Sequence, residues 1–183
     1  MPIYTKKGDK GETGMISQNP EEKIRLSKSS LKVRAIGAID ELDSFIGLAK
    51  SFTDNKDYIK ILSDIQRDLL TSGSILAGSG LKFPKTRTTK LERMIDKWDK
   101  VLPKLSNFIL PGGTNLGAQL HVCRSAARRA ERETIALSEV EGLQHLPDSV
   151  KMYLNRLSDF MFQFSRFVNF EAKIKEELWV GKK

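Results

Sequence analysis

In the stretch LGAQLHVCRSAARRAERETIAL (residues 116–137), Leu116, Leu120, Cys123, Ala127, Ala130, Thr134 and Leu137 recur at alternating spacings of four and three. This period winds a narrow seam of apolar and small residues down one face of an α-helix, as packing in a bundle requires. One position after the seam run Gly117, His121, Arg124, Arg128 and Glu131, a polar stripe at the border between core and solvent. Arg129 and Glu133 fall on a different face. Three readings of the arginines stay open at this point: a solvated face of ordinary ion pairs, a strip for nucleic acid, or one wall of an anionic pocket.

The same spacing recurs four more times. Ala35, Ile39, Leu42, Ile46 and Ala49 form one seam, and Tyr58, Leu62, Ile65, Leu69, Ser72 and Leu76 a second. Leu91, Ile95, Trp98 and Leu102 form a shorter one, opened by the capping-type residues Thr88 and Thr89 and closed by Pro103. Val150, Leu154, Leu157, Met161, Phe164 and Val168 form the last. Strand-like alternation is nearly absent, apart from a short extended piece around Ile3 to Thr5. The expected fold is therefore all-α, a five-helix bundle of ferritin-like up-down arrangement, with residues 31–178 as the bundle and a polar, Gly-rich arm over residues 1–30. The longer breaks are expected at Ser79 to Arg87 and Ser106 to Thr114. Two other helices repeat the border stripe: Asp40, Asp43 and Gly47 on the first, and Asn155, Ser158, Phe162, Ser165 and Asn169 on the fifth. An acidic stripe on one bundle surface can meet a basic one on another.

Length and composition fit this picture. At 183 residues the chain suits one domain with a real core, and 39% hydrophobic with 30% charged residues is the composition of a folded, soluble protein. No run of 18 apolar residues and no apolar signal core are present, so membrane spanning and export are not expected. The lone Cys123 forbids an intramolecular disulfide and suits a cytoplasmic protein. A formal charge of +8 favours an anionic partner without naming it. A basic helical nucleic-acid-binding module, or an interaction scaffold whose arm meets a partner, is the alternative to an enzyme. Glutamates interleave with the arginines and no aromatic array accompanies them, so the nucleic-acid footprint is weak.

Two segments add chemistry. TKKGDKGETG (residues 5–14) joins glycines, which let backbone N–H groups approach an anion, to lysines and threonines that supply charge and hydroxyl donors. It lacks the GxxxxGK[ST] spacing of a Walker A loop, and a mobile basic terminus is an equal reading. In FILPGGTN (residues 108–115), Thr114 or Asn115 can cap the next helix. His121 borders a seam and His145 falls in a loop close to a proline; neither indicates a metal site or a catalytic triad.

Taken in chain order, TKKGDKGETG, Lys28 in RLSK, AIGAIDELDSFIG, FILPGGT, HVCRSAARRAER and YLNRLSDFMF resemble the PduO-type ATP:cob(I)alamin adenosyltransferases. The resemblance implies a homotrimer with active sites between subunits. It also implies transfer of the 5′-deoxyadenosyl group of ATP to the cobalt of cob(I)alamin, with release of triphosphate and with Mg2+ at the phosphates. Carried over residue by residue, it assigns ATP to Thr5, Lys6, Gly8, Asp9, Gly11, Thr13 and Lys28 on the arm, and to Arg128, Glu131 and Asn155 on the helices. Arg124 would pair with Asp40 across a subunit boundary. Phe108 would lie against the lower face of the corrin and displace its axial base, with Phe162 on the same apolar wall. A reductase and an adenosylcobalamin-dependent acceptor enzyme are implied partners; nucleic acid and membrane are not. Two departures stand out: SQNPEEKIRLSK (residues 17–28) is longer and more acidic than the usual connection, and Ser165 replaces a small apolar residue.

Overall fold

The computed structural model describes residues 3–19, 21–140 and 146–181; His145 lies outside them. Five helices carry the described chain: α1 (Leu31–Lys50), α2 (Lys56–Ala77), α3 (Thr86–Asp99), α4 (Asn115–Ser138) and α5 (Asp148–Glu171). The most extensive helix contacts are α1 with α2, α1 with α4, α4 with α5, and α3 with α5. All the seam residues of α1, α4 and α5 are buried, and those of α2 are buried apart from the half-buried Tyr58. The core is aromatic near one end, where Trp98 stacks on Phe164 and Phe167 with ring centroids 5.0 Å apart in both pairs.

Caps set the helix starts. The side chains of Ser30, Asn55 and Thr114 accept from backbone N–H groups in the first turns of α1, α2 and α4. The start of α3 departs from the expectation. This helix begins at Thr86, its N-cap Lys85 makes no side-chain cap bond, and Thr88 is buried inside the first turn. The turn after Pro84 starts the helix instead, with the Arg87 N–H donating to the Pro84 carbonyl at 3.2 Å. Leu102 is buried beyond the helix end rather than within it.

The arm also differs from expectation. Its extended structure is a two-stranded antiparallel ladder of β1 (Glu12–Gly14) and β2 (Arg25–Ser27), with Thr13 opposite Leu26; Ile3 to Thr5 is not strand. Pairing shows little in the sequence here, because each strand has only three residues and no periodicity can develop. The arm is moored to the end of α2, where the Ile16 N–H donates to the Ala77 carbonyl at 3.2 Å. Gly78 ends α2 in the left-handed region at φ +110°, and a Cβ there would collide with the Ile16 carbonyl.

Candidate functional site

The border stripes of α4 and α5 face each other. Asn155 Nδ2 donates to Glu131 Oε1 at 2.8 Å, and Ser165 Oγ lies 3.1 Å from His121 Nε2. Farther along, the Asn169 side chain accepts from the Thr114 N–H at 2.9 Å and donates to the Gly112 carbonyl at 2.9 Å. Glu131, His121 and Gly117 on α4 thus meet Asn155, Ser165 and Asn169 on α5, as two helices packed along adjacent faces require, while Arg124 and Arg128 share a hollow with Phe162 and Ser158. Gly113 and Gly117 make room for this clasp: a Cβ on either would collide with the Asn169 amide, and Gly113 has φ +105°.

Above this seam runs a groove in three linked parts. A cavity of about 680 Å³ is lined by Phe108, His121, Arg124, Phe162 and Trp179, among others. Arg124 and Phe162 also line a neighbouring hollow of about 360 Å³ with Arg128 and Ser158. Arg128 in turn lines a third of about 430 Å³ with Glu131, Arg132 and Asn155. The groove therefore passes from an aromatic end to a charged end, where Arg128 and Arg132 stand with Glu131 and Glu139. Phe108 is 81% exposed, and with Leu105 and Trp179, which are also exposed and line the same cavity, it presents an apolar patch at the surface.

Charge is unevenly committed within α4. Arg129 pairs with Glu41, and Arg34 Nη2 with Glu133 Oε1 at 2.9 Å, so the second polar face of α4 is used against α1. Arg128 makes no ion pair with a described residue, and Arg124 Nε is buried without a hydrogen-bond partner among them. Two guanidinium groups are thereby left for anions along the groove. His121 is buried, and desolvation followed by the nearby Arg124 pushes its pKa down to about 4. Ser165 Oγ donates to the Phe162 carbonyl at 2.7 Å, so its oxygen accepts from His121 Nε2–H. The ring is neutral, with Nδ1 unprotonated and without a partner. Ser165 thus has a polar task that a small apolar residue could not perform.

The arm gathers some of its expected residues. Lys28 N–H donates to the Gly11 carbonyl at 2.8 Å, Gly11 N–H to the Gly8 carbonyl at 3.2 Å, and the Lys28 ammonium reaches over Gly8. Thr13 sits in β1, while Thr5, Lys6 and Asp9 are exposed. Hydrogen bonds and ion pairs of the described arm residues stay within the arm or go to the adjoining ends of α1 and α2. Within one chain, therefore, the arm is not brought to Arg128, Glu131 and Asn155. Asp40 is likewise apart from Arg124: it lines a separate hollow of about 250 Å³ between α1 and α2, with Asp43, Leu69 and Leu70.

The sequence reading missed Trp179, which lines the aromatic cavity, and the ion-paired Arg166 and Glu176, which line an adjoining cavity that shares Leu105 and Ser106 with it. Among the described residues no three His, Cys, Asp or Glu side chains converge as a metal cage. The groove's carboxylates, Glu131, Glu139, Asp99 and Asp159, stand among its arginines, and a magnesium ion there would be held mainly by phosphates and water.

The helical bundle is shared with a known class of enzymes. Residues 3–168 match the family model for cobalamin adenosyltransferase, and the chain belongs to that family. Within it, the chain is of the PduO type of ATP:corrinoid adenosyltransferase. It is 39% identical to the corrinoid adenosyltransferase of Bacillus subtilis (strain 168), over 95% of this chain and 90% of that one. It is 37% identical to the cobalamin adenosyltransferase of Cupriavidus metallidurans, over 97% of this chain and 93% of that one. A variant PduO-type enzyme from Lactobacillus reuteri, complexed with cobalamin and ATP, superposes with a TM-score of 0.89 at 35% identity, covering 98% of this chain and 100% of that one.

Proposed function

We infer that this protein is an ATP:cob(I)alamin adenosyltransferase. It transfers the 5′-deoxyadenosyl group of ATP to the cobalt of cob(I)alamin, forming adenosylcobalamin and releasing triphosphate. The observation that carries the reading is the groove, whose aromatic end can take a flat macrocycle while Arg128, without an ion pair among the described residues, can meet phosphates at its charged end.

The cobalt(I) electron pair attacks C5′ of ATP and the C5′–O bond breaks, leaving its pair on the triphosphate. Charge grows on the departing oxygen, so fixed cations and N–H donors that face it lower the barrier. In our proposal Arg128, the Lys28 ammonium and the arm backbone at Gly8 and Gly11 supply them, with Thr5, Lys6, Asp9 and Thr13 shaping the same loop. Glu131, already bonded to Asn155, would orient an arginine or a magnesium-bound water. Phe108 and Phe162 present apolar faces to the corrin. Because Phe108 offers no lone pair, it excludes an axial ligand rather than moving a proton.

The proposal includes a homotrimer in which the arm of one subunit completes the groove of its neighbour. What supports it is the separation of arm and groove within one chain, together with the unpartnered Arg124 and the exposed Asp40. Donors of the electron and acceptors of the product would dock near the aromatic end. A reducing compartment such as the cytoplasm suits the single, buried Cys123.

The test is to mix the protein with ATP, magnesium and chemically reduced cobalamin and to follow the absorption spectrum. Conversion to adenosylcobalamin with release of triphosphate is expected; a folded protein that yields neither would refute the assignment.

A further inference from the structure

The exposed Phe108 ring is not fixed by burial, so something else must set its position. Its backbone pairs with the segment after α5: the Trp179 N–H donates to the Phe108 carbonyl at 2.7 Å, and the Leu110 N–H to the Glu177 carbonyl at 2.8 Å. This short antiparallel bridge centres on Ile109 and Leu178. The tail is itself poorly buried, with Leu178 46% and Trp179 54% exposed, so its own apolar contacts are weak anchors.

One residue holds both partners. Arg166, on α5, is 2% exposed and grips Glu176 through two bonds, Nε to Oε1 at 2.6 Å and Nη2 to Oε2 at 3.2 Å. The same Nη2 donates to the Pro103 carbonyl at 2.7 Å, at the start of the α3–α4 connection that carries Phe108. Its guanidinium also lies 6.0 Å from the centre of the Phe162 ring. A buried guanidinium with bidentate geometry has little freedom, and so can fix what it binds.

We propose that the Arg166–Glu176 pair is a latch that positions Phe108 for the corrinoid, acting through the tail and not by touching substrate. The proposal rests on the adenosyltransferase reading of the Phe108 cavity. Releasing Glu176 frees the tail strand, the strand frees residues 108–110, and the ring then no longer covers the axial position reliably. ATP, held at the other end of the groove, is little affected.

The test compares wild type with Glu176→Gln and, in case the stranded guanidinium unfolds that chain, with the charge-free double variant Arg166→Gln/Glu176→Gln. Amide hydrogen exchange at Leu110 and Trp179 should quicken at least about tenfold in the ligand-free variants, while exchange in α1 and α4 stays unchanged. With ATP and cob(II)alamin, the four-coordinate cobalt signal should fall severalfold while KM for ATP stays within about twofold, since that interaction is untouched. Unchanged exchange would overturn the latch, and faster exchange with an unchanged four-coordinate signal would overturn its positioning role. A wild-type protein that makes no adenosylcobalamin would overturn the function reading together with the corrinoid role of the latch. An active wild type matched by its variants overturns the latch alone.

Discussion

At the scale of single residues, adjacent arginines on α4 have been given different tasks by helical geometry. Arg129 is turned to Glu41 on α1, whereas Arg128 lines two hollows of the groove without an ion-pair partner among the described residues. Arg128→Ala should therefore lower adenosylation by about 10²–10³ in turnover, the usual loss when one stabilising donor is removed, with helix content intact. Arg129→Ala should cost less than about 1 kcal/mol of stability, as an exposed pair does, and leave turnover near wild type. Steady-state kinetics and urea unfolding of both variants check this, and equal kinetic losses would refute the division. His121 makes a second prediction at this scale. Its folded pKa of about 4 lies below the ordinary value of 6.5, so the unfolded chain binds the extra proton first as pH falls. The stabilising effect of the neutral ring is complete above pH 6.5, declines as pH drops toward 4, and amounts to at most about 3 kcal/mol. His121→Gln should flatten the stability profile between pH 6.5 and 4; a slope equal to that of wild type would show that other groups set it.

At the scale of elements, what could be read from the sequence was whatever repeats. Five seams, each carried for three to six turns, predict five helices and their buried faces, and the one-step-offset stripes on α4 and α5 predict the groove wall. The start of α3 misled because Thr88 has the chemistry of a cap but sits one turn too late to act as one, after a helix nucleated behind Pro84. The strands of the arm and the tail bridge are too short for any period, and the Arg166–Glu176 pair joins residues whose meeting depends on the chain reversing after α5. The loop Pro111 to Thr114 lies between these cases: its glycines were visible, but their partner Asn169 was seen only as a stripe residue. Its role gives a prediction. Gly113→Ala would force a left-handed alanine into the Asn169 amide, costing about 1–3 kcal/mol and loosening the start of α4. Urea unfolding reads the cost directly, and a loss under about 0.5 kcal/mol, the range of an ordinary surface change, would mean that the clasp rearranges freely.

At the scale of the whole molecule, the decisive feature is that the two halves of the proposed ATP site stand apart in one chain. The arm is moored at the α2 end, the groove lies between α4 and α5, and Asp40 and Asp43 of the α1 stripe line a hollow that Arg124 does not. A cyclic trimer resolves this if each arm reaches the groove of the next subunit, with Asp40 meeting Arg124 at the same boundary. Shared sites have an arithmetic that sites within one chain lack. Suppose Lys28→Ala disables the arm in one population and Arg128→Ala disables the groove in another, and the two are unfolded together and refolded in equal amounts. A site is then sound only when an intact arm from the Arg128 variant meets an intact groove from the Lys28 variant, which random assembly gives about one time in four. Activity should return to about a quarter of the wild-type value from two nearly inactive parents. If each chain holds its own complete site, mixing rescues nothing, because every arm and every groove of a pair would carry one lesion between them. Adding Asp40→Ala to the Lys28 variant, which supplies the sound groove, separates assembly from chemistry. If the Asp40–Arg124 contact holds subunits together, the recovered activity should fall along with the trimer fraction measured by sedimentation. Recovery unaffected by that change would leave the shared site standing and remove the ion pair from its boundary.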